Sequence, residues 1–397
     1  AASMLMLLRA RARRRLLMRQ KSTALPQRRP LPQGPSFADF LRRPSIPPPL
    51  DAMPRDTHEL PRDVLTDSYR RFHGYLRVSL TERCNLRCRY CMPAEGVSDL
   101  TPSHELLTTK EVERVINVFA RAGASKVRLT GGEPTLRRDL VDICSSIKRD
   151  NPGVKSLGLT TNGMKLLSRS DGVRLVDALA ASGVDSVNIS LDSLDADVFS
   201  RMTRRPASTH KRVLDAIDAC ASLGLNVKVN CVVLRGENEH ELAAFAERWD
   251  STVKVRFIEW MPFSGNAYDA KRLVPYAEMM KMLPHLVPLP SSDRHDTTKW
   301  WTAGSSQVGF ITSMSEHFCG SCNRVRVTAD GSLKTCLFGS DSVSLRDALR
   351  SGVSDRELGD LIQGALLKKH FKHGGHGDAA GVARNAFENR PMVKIGG

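Results

Sequence analysis

Residues 75–91 read YLRVSLTERCNLRCRYC. The first six of them, Tyr75–Leu80, are the mixture of aromatic, branched and aliphatic residues that favours a β-strand. Three cysteines, Cys84, Cys88 and Cys91, follow within a few residues. A strand that runs directly into metal-binding side chains places chemistry at its carboxyl end, where parallel βα barrels build their sites. Five further runs of the same kind follow, at Lys126–Thr130, Ser156–Thr160, Ser186–Leu191, Val227–Val233 and Lys254–Ile258. Between them, apolar residues recur three and four apart, as in Val112, Val115, Ile116 and Phe119, or Val213, Leu214 and Ile217, which is helical spacing. Gly123, Gly183 and Gly224 each stand just before a strand, where a left-handed residue would stop the preceding helix. Strands alternating with helices imply a parallel α/β sheet. Six units fill about 200 residues, fewer than the ~250 of an eight-unit barrel, so the expected fold is an incomplete (βα)6 barrel, with a doubly wound sheet as the alternative.

The flanks differ from this repeat. Ten of the 21 prolines lie between Pro26 and Pro61, which reads as a linker, and folded structure is expected to begin near Tyr69. Beyond Asn266 the alternation stops. Lys281–Ser306 reads as irregular, Val308–Thr312 and Arg324–Thr328 as strands, and Ser332–Phe338 as the return strand of a hairpin through Ala329-Asp330-Gly331. Helices are expected near Leu345–Arg350 and Asp355–Lys369. The expected organisation is therefore an arm and linker over 1–68, a partial barrel over 69–266 and a smaller C-terminal domain over 267–397.

The 397 residues carry 59 Lys and Arg against 43 Asp and Glu, a net charge of +16. Nine of the basic residues fall in positions 1–38, which hold no acid, leaving a net of only +7 from Asp39 onward. An Arg-rich, acid-free arm with Leu and Met between its charges has the character of a mitochondrial transit peptide, and a basic arm touching nucleic acid is the alternative. The sequence opens on Ala1, so the native start is expected to be missing or altered. No apolar run approaches the roughly 18 residues of a membrane-spanning helix. Nine cysteines with no secretory signal argue against a disulfide framework. Cys144, Cys220 and Cys231 read as small buried hydrophobes.

The other six form two groups. Three thiolates at Cys84-x3-Cys88-x2-Cys91 suit a [4Fe–4S] cluster with one iron left open, whereas structural zinc wants a fourth ligand and neither His73 nor His104 lies within ten residues. Cys319-x2-Cys322-x13-Cys336 also offers three thiolates; by spacing alone it fits equally a zinc site completed by His317, His370, His373 or His376. Gly131-Gly132-Glu133-Pro134 ends the second strand, where glycines let backbone approach a ligand. Arg77, Arg128 and Lys228 sit in strand patterns, where a charge is costly unless it meets a partner or a wet cavity. Arg324 and Arg326 alternate and so share a face; Arg256 is placed similarly to the other strand cations.

Cys-x3-Cys-x2-Cys with Tyr90 before its last cysteine resembles the signature of radical S-adenosylmethionine enzymes. With KVRLTGGEPTLRRDL, GLTTNG, NISLD, GLNVKVN, RFIEWMPF, FITSMSEHFCGSCNRVRVTADGSLKTCLF and the terminal NRPMVKIGG, the chain resembles the GTP 3′,8-cyclases of molybdenum-cofactor biosynthesis in their eukaryotic mitochondrial form. The resemblance implies a radical S-adenosylmethionine barrel and a C-terminal domain with a second cluster. Cys84, Cys88 and Cys91 would hold the first [4Fe–4S] cluster; Cys319, Cys322 and Cys336 would hold the second, whose free iron meets guanine. Tyr90, Gly132, Glu133, Ser190 and Met261 would contact S-adenosylmethionine, Glu133 by accepting from its ammonium. Arg77, Arg128, Thr160, Lys228, Arg324 and Arg326 would contact GTP, and Gly396 and Gly397 would enter the active site to order the catalytic state.

The implied reaction is reductive cleavage of S-adenosylmethionine to methionine and a 5′-deoxyadenosyl radical. Abstraction of the ribose 3′ hydrogen of GTP and addition to C8 would give 3′,8-cyclo-7,8-dihydro-GTP. Implied partners are GTP, an electron donor and a downstream cyclic pyranopterin monophosphate synthase; a homodimer is allowed, nucleic acid is not expected, and the implied location is the mitochondrial matrix. Lys369–Phe387, with KHGGHGDAAGVARNAF, departs from the family pattern, so its histidines receive no role. The competing readings are a peptide-modifying radical enzyme, which would usually carry more than three cysteines in its C-terminal domain, and a zinc-bearing nucleic-acid-binding protein.

Overall fold

The computed structural model describes residues 60, 63–291 and 293–397. The basic arm expected over 1–38 lies outside the described residues, as does nearly all of the proline-rich stretch. Six parallel strands form the centre: β1 (Tyr75–Ser79), β2 (Lys126–Thr130), β3 (Ser156–Thr161), β4 (Ser186–Ser190), β5 (Asn226–Val233) and β6 (Val253–Glu259). They lie side by side in chain order. A doubly wound sheet would reverse its strand order part-way; here there is no reversal, and the arrangement is that of consecutive βα units.

The outward residues of these strands are the aliphatic ones. Leu76, Val78, Leu129, Leu157, Leu159 and Val187 pack under the helices. Helix α1 (Thr109–Arg121) shows how its sequence fixes its place. Thr108 and Glu111 form a capping box at its start, Gly123 with φ of 101° follows its end, and Val112, Val115, Ile116 and Phe119 are fully buried. Each such side chain contributes about 1.5–3 kcal/mol relative to exposure. Cys144, Cys220 and Cys231 are buried in this same core.

Two expectations need correction. Folded structure begins before Tyr69: Val64 and Leu65 are buried in the core, and Thr66 bridges to Phe72. Their apolar pair was hidden by the polar residues around it. Lys281–Ser306 is not wholly irregular. It contains β7 (Val287–Pro288) and β8 (Thr298–Ala303), and β8 makes an antiparallel hairpin with β9 (Ser306–Ile311). Gly309 lies opposite Trp300, and a Cβ there would stand 2.9 Å from the indole, so the pairing depends on that glycine. The prolines and serines just before β8 masked its Thr-Lys-Trp-Trp core.

The C-terminal strands do not make a sheet of their own. β9 pairs in parallel with the free edge of β6, and β10 (Arg324–Val327) pairs in parallel with the free edge of β1. β11 (Ser332–Lys334) and β12 (Val343–Ser344) continue outward from β10, giving one twelve-stranded sheet. An open barrel leaves two rows of unpaired backbone groups, and these additions cover both. The β10–β11 hairpin turns at Gly331, whose φ is 78°. Helices α8 (Leu345–Arg350) and α9 (Asp355–Leu367) follow where expected. No described helix is long and apolar enough to cross a membrane.

Candidate active site

The carboxyl ends of the strands open into one cavity. Its wall includes Cys84, Cys88 and Cys91 on one side and Cys319, Cys322 and Cys336 on the other. Between them it carries Arg77, Arg256, Arg324, Arg326 and Thr160. Tyr90, Gly132, Glu133, Ser190, Met261 and Gly397 complete the predicted residues found there. Arg128 and Lys228 are absent from the wall.

The first cysteine loop is shaped by bonds to its backbone. Arg204 Nη1 donates to the carbonyls of Arg87 and Met92, both at 3.0 Å, and Arg205 Nε donates to that of Asn85 at 2.5 Å. Arg87 and Arg89 donate their amides to Thr203 and Met202 at the end of α4 (Ala196–Thr203). Trp260 and Asn266 both donate to the Tyr90 carbonyl. Gly132 supports the loop by being small: a Cβ on it would lie 2.3 Å from the Arg83 carbonyl. Burial pushes the Cys84 thiol up to about 11 and the Cys88 and Cys91 thiols higher still. Asp192, buried beside Tyr90, is raised to about 6 by desolvation.

Glu133 lines the cavity and is also bonded within the protein. Its carboxylate already accepts from Thr135 N at 3.1 Å, Thr135 Oγ1 and Thr161 Oγ1 at 2.6 Å, and Asn162 N at 2.7 Å. That fills about the four lone-pair sites of a carboxylate. Glu133 is a strut tying the end of β2 to the end of β3.

Around the second triad, charge reaches the sulfur. Lys369 Nζ lies 3.6 Å from Cys322 Sγ and donates to the Arg324 carbonyl at 3.0 Å. Burial would raise the Cys322 thiol, but Lys369 and Arg324 outweigh it and bring it down to about 7; Cys319 stays near 11. Arg71, paired with Asp67 at 2.7 Å, donates to the carbonyls of Cys319 and Phe371 at 2.6 and 2.7 Å. Arg71 and Lys369 receive no role from the sequence; the carbonyls that Arg71 reaches lie 248 and 300 positions away.

The strand cations divide into two layers. Arg77 neighbours Arg326 on one side and Arg128 on the other in the strand register. Arg77 Nε, Arg324 Nη1 and Thr160 Oγ1 are buried without hydrogen-bond partners among the described residues. Buried polar atoms are seldom left so, and all three residues line the cavity. Arg128 is instead committed, through Nε to Tyr75 Oη at 2.7 Å and otherwise to the Leu159 carbonyl and Ser186 Oγ. Gly158 makes room for it, since a Cβ would come within 2.6 Å of the guanidinium. Lys228 donates to Asn226 Oδ1, and burial with Arg256 nearby brings its pKa down to about 7.

The chain's last two residues are built into the wall. Arg326 Nη1 donates to the Gly396 carbonyl and Thr130 Oγ1 to the Gly397 carbonyl, both at 2.7 Å. Gly396 has φ of 86°, and a Cβ would lie 2.9 Å from both Ser79 and Thr130. Among the described residues no three His, Cys, Asp or Glu side chains gather closely enough for a single metal ion. The two thiol triads, free of disulfides, face shared open space, which is the donor chemistry and the room that iron–sulfur clusters need.

Residues 78–248 match the radical SAM superfamily, and residues 253–375 match the family described as Molybdenum Cofactor Synthesis C. The chain is 48% identical to the "GTP 3′,8-cyclase, mitochondrial" of Arabidopsis thaliana over 345 residues, covering 84% of each. The GTP 3′,8-cyclase of Pelotomaculum thermopropionicum is 42% identical, over 84% of this chain and all of that one. The chain belongs to the GTP 3′,8-cyclase family. As a family member it carries the radical SAM fold, S-adenosylmethionine and an iron–sulfur cluster as cofactors. It is also 46% identical to the human molybdenum cofactor biosynthesis protein 1, of which it spans 51%. The Streptococcus suis SuiB structure, 12% identical, shares the fold with a TM-score of 0.53 over 77% of this cyclase-family chain and 67% of that protein.

Proposed function

We propose that this chain converts GTP into 3′,8-cyclo-7,8-dihydro-GTP, the first step of molybdenum cofactor biosynthesis. The observation that carries this reading is a single cavity lined by both cysteine triads and by Arg77 and Arg324, whose Nε and Nη1 have no hydrogen-bond partner among the described residues. Cys84, Cys88 and Cys91 would hold a [4Fe–4S] cluster, and Cys319, Cys322 and Cys336 a second. The first cluster and S-adenosylmethionine, when bound, supply a 5′-deoxyadenosyl radical by reductive cleavage.

The protein's own part is to bind, orient and exclude water. Tyr90, Gly132, Ser190 and Met261 form the S-adenosylmethionine side, and Glu133 braces it. Arg77, Arg324, Arg326 and Thr160 take the nucleotide, where guanidinium forks suit a triphosphate. Arg128 and Lys228 act from the layer behind, through their field. Gly396 and Gly397 hold the shape of the wall in the reactive state and add no ligand bond of their own.

The arm and proline-rich stretch before Val64 serve as transit peptide and linker in this reading, with the mitochondrial matrix as the place of action. An electron donor feeds the reaction, a cyclic pyranopterin monophosphate synthase takes the product, and two copies can associate. Anaerobic incubation of the reconstituted chain with GTP, S-adenosylmethionine and a reductant should yield the cyclised nucleotide and 5′-deoxyadenosine. Iron analysis should give about eight atoms per chain, from two four-iron clusters. Two equivalents of zinc, or no cyclised product, would refute it.

A further inference from the structure

The cations inside the barrel have no carboxylate to balance them. In the strand register Tyr75 of β1 stands between Lys126 of β2 and Arg324 of β10. Two residues on, along the same face, Arg77 stands between Arg128 and Arg326. Lys228 of β5 and Arg256 of β6 lie close enough to share this field. Among the described residues none of these seven cations forms an ion pair with Asp or Glu. Their hydrogen bonds go to neutral acceptors instead: Arg324 to the His295 carbonyl, Arg326 to the Gly396 carbonyl, Arg256 to Asn230 and Lys228 to Asn226. Asp296 acts on Arg256 and the Cys336 thiol on Arg326, but the Asp296 oxygens are taken by Thr298 N and Trp300 Nε1 at 2.9 and 2.7 Å.

Tyr75 is the acidic group at the centre of this cluster. It is 6% exposed, and its Oη accepts from Arg128 Nε at 2.7 Å. Three more cations face its ring: Lys126 Nζ lies 4.8 Å from the centroid, and the guanidinium carbons of Arg77 and Arg324 lie 5.6 Å from it. Burial would raise the phenol, but Arg128, Arg77 and Lys126 outweigh it and hold Tyr75 well below its usual value. Burial and neighbouring guanidinium groups in turn pull Arg256 and Arg326 down to about 9, and Tyr75 opposes that pull on both. Buried like charges are costly without a counter-charge, and an ionised phenol supplies one from within the cluster.

We propose that Tyr75 stands as a phenolate in the nucleotide-free protein, as the internal counter-anion of the barrel's cations, and takes up a proton when a bound triphosphate assumes that part. The proton comes from solvent and ends on Oη, and no other bond forms or breaks. The identity of the anion rests on the GTP reading above; the ionised phenol does not.

The test is ultraviolet difference spectroscopy of the anaerobically reconstituted full chain at about pH 8, well below the pKa of an ordinary tyrosine. Inorganic tripolyphosphate, which carries no absorbing base, is the first probe, and GTP is the second. The anion-free parent should show one tyrosinate per chain that Tyr75→Phe lacks, and saturating tripolyphosphate should remove it. Should Tyr75→Phe fail to fold, ring 13C labelling of the parent's five tyrosines reads the same ionisation by NMR, and it also follows the titration with GTP. No tyrosinate in the anion-free parent, a band that survives in Tyr75→Phe, a band unchanged by saturating tripolyphosphate, or failure of tripolyphosphate to bind would overturn the proposal. Loss of the band with tripolyphosphate but no binding of GTP would uphold the part given to Tyr75 and refute the cyclase reading.

Discussion

The two cysteine triads share a cavity but are held by opposite means. Around Cys84, Cys88 and Cys91, Arg204 and Arg205 spend their hydrogen bonds on backbone carbonyls, and the thiols sit in a low-polarity pocket that raises them. Around Cys322, Lys369 reaches the sulfur, and the thiol is lowered to about 7. In the first site charge shapes the loop; in the second it acts on a ligand atom. Cys322 thus differs in acidity from Cys84 and from its own neighbour Cys319 through its surroundings alone.

The largest expected effect separates the triads by deletion. Cys88→Ala should abolish both 5′-deoxyadenosine formation and cyclisation, whereas Cys322→Ala should abolish cyclisation and leave S-adenosylmethionine cleavage measurable. Equal losses in both products for both variants would erase the division of labour. Next comes the tail that borders both sites. Replacing Gly396 and Gly397 together with Ala should lower cyclisation by on the order of 10²-fold, the scale of a 1 Å displacement, because the Cβ at Gly396 collides with Ser79 and Thr130. Iron content and GTP affinity should stay near the parent's, and undiminished turnover would show the tail to be inert.

Acidity itself gives a smaller, sharper measurement. In iron-free protein, iodoacetamide should label Cys322 with a rate that rises through a midpoint at about pH 7, because the thiolate exists above that pKa. Cys84 and Cys319, held near 11, should stay slow throughout that range. Lys369→Met should move the Cys322 midpoint upward and leave Cys84 unaffected. The smallest effect is expected from Arg204→Ala, which removes two bonds to carbonyls. It should destabilise the first loop by about 1–3 kcal/mol, read as faster iron loss from that site with unaltered Cys322 labelling.

Much of this was legible in the sequence. The six central strands fall almost where their β-branched runs predict, because their outward residues alternate as aliphatic side chains along each strand. The cysteine spacings, the glycine pair before Glu133 and the alternation of Arg324 and Arg326 announced the cavity for the same reason: each is local. What escaped was long-range. Nothing near Arg71 reveals that it will clasp Cys319 and Phe371, and nothing near Glu133 reveals that Thr135, Thr161 and Asn162 will occupy its oxygens. The partners of Arg128, which are Tyr75, Leu159 and Ser186, lie on three other strands and are equally unreadable from its neighbours.

The pairing of β1 with β10 also governs how the molecule is made. Tyr75 waits for Arg324 as its neighbour, so the first strand to leave the ribosome keeps one edge bare until nearly the whole chain has emerged. At 5–20 residues per second that interval is on the order of tens of seconds. Throughout it the nascent chain offers a row of amides and carbonyls to any passing strand, and the cysteines of the first loop stand next to that open edge.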